Sequence, residues 1–125
     1  QFPLFWFAKP SLLQRWGEEV FTHGFSHGTN GKALQGKKLI LSVTIGAPAE
    51  AYAREGRPNG GLEDMLMPAT QTMVGITGMT LVDPAVITYG VSYALRNDPE
   101  QAKELDRKAD DHAARLVALL RDAAK

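Results

Sequence analysis

KKLILSVTIG, residues Lys37 to Gly46, is the stretch whose reading decides the fold. Leu39 to Ile45 is a short, nearly continuous apolar run rich in β-branched residues, and it stops at a glycine. Such a run predicts a strand buried on both faces, the kind found in parallel sheets covered by helices on either side. Upstream, Leu12, Leu13, Trp16, Val20 and Phe21 recur at helical spacing with Gln14, Arg15, Glu18 and Glu19 between them, which predicts a helix from Pro10. Gly24, Gly28, Asn30 and Gly31 then mark a long loop leading to the strand.

Downstream, Ala47 to Gly61 holds Pro48, Pro58, Gly56, Gly60 and Gly61 and reads as a loop, long enough to suggest a functional one. Leu62 to Ile76 predicts a second helix with a buried stripe of Leu62, Met65, Leu66, Ala69, Met73 and Ile76. Pro68 should kink or shorten it, and Gly78 should end it. A further strand is expected within Leu81 to Tyr93, over Ala85 to Val91. Asp98 then supplies a helix cap, Pro99 suits the first helical position, and Gln101 can close a capping box. Ala102, Leu105, Ala109, Ala113, Leu116 and Leu120 line one face of that last helix.

The first seven residues, QFPLFWF, read as the end of a strand running into a loop, with Pro3 as punctuation. The order is therefore strand, helix, strand, helix, strand, helix, which implies a parallel sheet with right-handed crossovers. Three strands leave two open edges. The pattern is that of the back part of a longer doubly wound domain. Fourteen Lys and Arg balance fourteen Asp and Glu, so charge alone does not hold a nucleic acid or an acidic surface. Without cysteine there is neither a disulfide framework, a thiolate metal site nor a Cys nucleophile, and an intracellular setting is the mild inference. No apolar run approaches the ~20 residues of a membrane span.

The blocks QFPLFWF, KPSLLQRW, EEVFTHGFSHG and ALQGKKLILSVTIGAP then occur in order, followed by a loop tyrosine, Tyr52, and a Gly-Met pair before the last strand. In that order and spacing the whole chain resembles the flavodoxin-like NAD(P)H:quinone oxidoreductase family. That family includes the quinone reductases and the flavoprotein that accompanies a bacterial glutathione-gated potassium-efflux system. The resemblance implies an α/β, flavodoxin-like doubly wound parallel sheet, with residues 1–125 forming a single domain. It begins at the end of the family's third strand. The front strands and the phosphate-cradling turn, roughly a third of such a domain, are thus expected to be missing from this chain.

The resemblance also implies a flavin held beyond the carboxyl ends of the strands. It places Pro3, Leu4, Phe5, Trp6 and Phe7 against the flavin. On their own, Trp6 and Phe7 would be read as core; in this loop they become ring-packing residues. Thr44, Ile45, Gly46 and Ala47 match a loop that is usually Thr-Thr-Gly-Gly in the family. Ile45 and Ala47 depart from it, and Gly46 keeps the close backbone approach. Tyr52 corresponds to a loop tyrosine that helps stabilise charge on the reduced ring. A histidine that assists in some relatives has no counterpart in Gly56-Arg57-Pro58-Asn59, where Arg57 could offset charge instead. Tyr52 and Gly46 are therefore the catalytic candidates. Trp6, Phe7, Phe25 and His27 are the substrate-pocket candidates.

Other residues are assigned no chemistry. His23 and His27 stand four apart, but Gly24 between them and the lack of a third ligand argue against a metal. His112 reads as a partly exposed surface or boundary residue. Arg96 and Asp98 read as solvated surface. The resemblance thus implies a cytoplasmic, homodimeric enzyme that reduces quinones or related electrophiles with NAD(P)H through FMN, with FAD as the alternative. It is neither nucleic-acid-binding nor membrane-embedded. Two other roles share the same residues: an accessory flavoprotein docked peripherally on a potassium-efflux transporter, and a non-catalytic fragment.

Overall fold

The computed structural model describes residues 1–53 and 61–125. In chain order the elements are β1 (Phe2–Pro3), α1 (Ser11–Val20), β2 (Lys38–Ile45), α2 (Leu62–Thr77), β3 (Thr80–Tyr89) and α3 (Pro99–Ala123). Short 3-10 turns lie at Ala49–Tyr52 and Tyr93–Asn97. The strands form one parallel sheet in the order β1-β2-β3, with β2 central. This is the expected α/β arrangement. Val43 and Ile45 of β2 are fully buried, and Phe2, Leu4, Leu41, Leu62 and Leu66 complete the core around them. The apolar run Leu39–Ile45 thus forms the centre of the molecule, because a central parallel strand meets a covering layer on both sides.

β3 departs from its expected span. It starts at Thr80 and ends at Tyr89, whereas Ala85 to Val91 was expected. Pro84 ordinarily interrupts a strand. Here the strand passes through it on a bulge: Ile40 pairs with Val82, and Ser42 pairs with Val86. The peptide bond between Asp83 and Pro84 is cis. The strand ends earlier than expected because Gly90, at φ 67°, turns the chain away.

Two helices bury different faces from those expected. In α2 the buried residues are Leu62, Leu66, Thr70, Val74 and Thr77, while Ile76 is exposed. Thr70 and Thr77 can be buried because their hydroxyls donate to the carbonyls of Leu66 and Met73, at 2.9 and 2.7 Å. Pro68 does not shorten this helix, which ends at Gly78 in the left-handed conformation as expected. In α3 the buried residues are Leu105 and His112, whereas Ala109, Ala113 and Leu120 stay exposed. Its start is as expected in part: the Asp98 carboxylate accepts from the amides of Glu100 and Gln101 at 2.9 and 3.0 Å. The amide of Asp98 is taken by the Leu95 carbonyl rather than by Gln101. α1 buries no residue fully, and its Leu12 and Trp16 face outward.

Candidate functional site

The loop after β1 is a tight turn. Phe5 and Ala8 exchange backbone hydrogen bonds of 3.1 and 2.9 Å, which close the turn around Trp6 and Phe7. Both central residues have positive φ, 46° and 64°. Turns of this kind normally use Asn and Gly, because a Cβ in the left-handed region clashes with its own backbone at about 1–2 kcal/mol per residue. Burial does not repay that strain, since Trp6 is 93% and Phe7 45% exposed. Neither aromatic belongs to the core. Leu4 does: its side chain is buried, and its amide donates to the Thr44 carbonyl at 2.9 Å. Leu4 can therefore meet a ligand only through its backbone. Pro3 and Phe5 are exposed.

At the end of β2, the carbonyls of Ile45 and Ala47 accept from the amides of Val91 and Gly90, both at 2.9 Å. Ile45 points into the core with 1% of its surface exposed. Its departure from the family's threonine is therefore a packing change, and a ligand can reach only its backbone. A Cβ placed on Gly46 would meet nothing within 4 Å. The Gly46 backbone is thus open to close approach from outside. Thr44 and Ala47 are half-buried.

Tyr52 closes the 3-10 turn Ala49–Tyr52 and packs against the core. Its ring lies between two others: Phe7 at 5.8 Å between centroids and Tyr89 at 5.9 Å. Phe7 and Tyr52, far apart in sequence, are therefore neighbours, as a shared site requires. Tyr89 was not foreseen as part of it. The available signal was its place at the carboxyl end of a parallel strand, where open sheets bind ligands. Burial, and then the charges of Glu63 and Tyr52, hold the Tyr89 phenol above its ordinary pKa. Arg57 and the rest of Gly56–Asn59 lie outside the described residues.

Phe25 and His27 occupy a separate tight loop, where His27's ring meets His23 edge-on at 5.7 Å. Phe25 is exposed and His27 half-buried. Ser26 between them is wholly buried, with its Oγ 3.1 Å from the Thr22 carbonyl and 3.0 Å from His27 Nδ1. A hydroxyl has one hydrogen. Donating it to Thr22 allows both contacts to be hydrogen bonds, with Nδ1–H donating to Ser26. The opposite choice sets two oxygens against each other. His27 is thus expected to carry its proton on Nδ1, which leaves Nε2 as an acceptor. Nitrogen-15 NMR of labelled imidazole reads this directly, and an Nε2–H tautomer at alkaline pH would contradict it. Among the described residues, no group of three or more His, Asp or Glu side chains could hold a metal ion.

His112, expected as a partly exposed surface or boundary residue, is instead 6% exposed. Its Nε2 lies 2.8 Å from Ser42 Oγ on β2, and its Nδ1 lies 2.7 Å from Thr88 Oγ1 on β3. It ties α3 to the sheet at two strands. The misreading has a physical cause: imidazole is buried when both nitrogens find partners, and those partners lie 70 and 24 residues away. A cavity of about 430 Å³ opens beside it, between α3 and the strand ends, with Thr44, Thr88, Leu105, His112 and Leu116 among its lining. Thr44 is the one expected cofactor contact that faces this cavity.

Residues 1–116 match the model of a family described by its flavodoxin-like fold. The chain belongs to the flavodoxin-like NAD(P)H:quinone oxidoreductase family. General stress protein 14 of Bacillus subtilis is 38% identical over 100 residues, covering 78% of this chain and 55% of that protein. Human ribosyldihydronicotinamide dehydrogenase [quinone] is 36% identical over 112 residues, covering 86% of this chain and 44% of the relative. The crystal structure of general stress protein 14 from Treponema denticola in complex with FMN superposes with a TM-score of 0.75 at 34% identity, covering 95% of this chain and 63% of that one. The chain thus spans between about two fifths and two thirds of the lengths of these relatives.

The residues present fit a flavin. A flat heterocycle needs flat apolar walls and donors for its ring oxygens and nitrogens. The exposed rings of Phe5, Trp6 and Phe7 could supply such walls. The amides of Trp6 and Gly46 donate to no other backbone group among the described residues and so remain available as donors.

Proposed function

We propose that the protein is a flavin-dependent oxidoreductase that uses NAD(P)H to reduce quinones or related electrophiles by two electrons, with FMN rather than FAD as its flavin. The observation that carries this reading is the Trp6–Phe7 turn: two aromatics held at positive φ, with Trp6 almost fully in solvent. Strain that burial of Trp6 does not repay points to a ligand or partner at this turn. When bound, the flavin supplies hydride transfer between nicotinamide and acceptor. Trp6 and Phe7 wall its ring, and the amides of Trp6 and Gly46 reach its polar edge. Tyr52 aims a phenol donor at charge developing there. Gly46 leaves room for the approach.

The pocket's outer wall comes from a second copy of the chain through Phe25 and His27. The outward faces of Leu12, Trp16 and Phe25 support such a homodimer, because large apolar side chains in solvent mark contact surfaces. Among the described residues no helix is long and apolar enough to cross a membrane. The cytoplasm is the location that the family resemblance implies.

The test uses the purified full-length protein. Visible flavin absorbance, FMN on extraction, and NAD(P)H oxidation that depends on added benzoquinone are the expected results. Colourless protein that takes up no flavin and turns over no quinone overturns the reading. Trp6→Asn sharpens it. Asparagine tolerates the left-handed region, so this variant is expected to gain about 1 kcal/mol of stability while binding flavin more weakly. Unchanged flavin affinity would remove Trp6 from the site.

A further inference from the structure

Tyr52 is carried by a four-residue 3-10 turn without a side-chain cap, closed by backbone bonds of 3.1 and 3.3 Å from Ala51 to Pro48 and from Ala53 to Glu50. A segment this short does not orient a side chain by itself. Two rings flank Tyr52, and they are held very differently. Phe7 sits in an exposed turn at φ 64°. Tyr89 closes β3 in register with Ile45. Its carbonyl accepts from Lys108 Nζ at 3.2 Å, and the next amide, Gly90, donates to Ala47 at 2.9 Å. Tyr89 is therefore the anchored member of the three. Its ring reaches Tyr52 at 5.9 Å and 46° between planes.

We infer that Tyr89 is a positioning residue, whose ring, fixed at the carboxyl end of β3, sets the direction of the Tyr52 phenol. The contact runs ring to ring, so the Tyr89 hydroxyl is not needed for it. The consequence for catalysis rests on the function proposed above; the positioning itself does not.

The experiment compares Tyr89→Phe, Tyr89→Leu and Tyr89→Met in the full-length protein, with thermal melts to confirm folding. Tyr89→Phe should keep kcat within about two-fold. Tyr89→Leu and Tyr89→Met should lower kcat about ten-fold while leaving KM for NAD(P)H nearly unchanged, because a misdirected donor affects the transition state rather than binding. A second readout needs neither flavin nor turnover: the proton NMR signals of the Tyr52 ring, assigned by their loss in Tyr52→Phe. They should hold in Tyr89→Phe and move in the two aliphatic variants. Unmoved Tyr52 signals in those variants overturn the inference, and so does a loss of kcat as large in Tyr89→Phe as in Tyr89→Leu. If the protein binds no flavin, the proposed function fails, while the Tyr52 signals still decide the positioning.

Discussion

Replacing His112 with leucine is expected to destabilise the fold by about 2–4 kcal/mol, read as a lower denaturation midpoint at unchanged m-value. The imidazole bonds Ser42 Oγ at 2.8 Å and Thr88 Oγ1 at 2.7 Å, and both hydroxyls are buried. Leucine fills the space and leaves both without their partner, so desolvation is no longer offset. Arg115 shapes the rest of the network. Its Nη2 donates to Thr88 Oγ1 at 2.7 Å, so this hydroxyl meets both Arg115 and His112 Nδ1.

Burial, and then the Arg115 guanidinium, hold the His112 pKa below the ordinary imidazole value, with Asp111 partly opposing. The unfolded chain therefore binds this proton more readily than the folded one. Stability from this group is complete above the ordinary imidazole pKa of about 6.5 and declines as pH falls from there toward the lowered folded value. Wild type should lose stability across that window, and His112→Leu should lose less. An identical acid dependence in the two proteins would refute the role assigned to His112.

The second large effect is expected at Gly31. A Cβ there would stand 1.9 Å from the His27 carbonyl oxygen and 2.5 Å from the carbon and nitrogen of the same residue. All three are backbone atoms, so no side chain can swing aside. Gly31→Ala is expected to cost more than about 2 kcal/mol and to displace the loop carrying Phe25 and His27. Gly24→Ala is the control. Gly24 has φ 83° but nothing within 4 Å of its Cβ, so only the backbone penalty of about 1 kcal/mol applies. Thermal melts of the two variants should therefore separate clearly. Hydrogen exchange at Ser26 should accelerate in Gly31→Ala and hold in Gly24→Ala. Equal melting temperatures would show that the loop yields more easily than its geometry implies.

Much of the fold was legible along the chain because its signals are local. The apolar run Leu39–Ile45, the Asp98-Pro99 start of α3 and the glycine ending α2 each depend on neighbours within a few residues. Family blocks such as QFPLFWF and ALQGKKLILSVTIGAP were likewise visible without coordinates. Periodicity was less dependable for faces. Apolar spacing put Ile76 inside α2, but Thr70 and Thr77 took the buried positions by bonding the turn before them. Pro84 hid the first half of β3, because a bulge accommodates what a regular ladder would not.

By itself, the sequence determined the element order, the parallel α/β class and the family, because each rests on short-range pattern or on residue identity in order. Only the tertiary structure decided that Trp6 stands in solvent at positive φ, that Tyr52 lies between Phe7 and Tyr89, and that His112 is buried between two strands. The physical reason is common to the last two. A side chain's burial and partners are set by groups tens of residues away, brought close when parallel strands align their carboxyl ends, and no local pattern encodes that meeting.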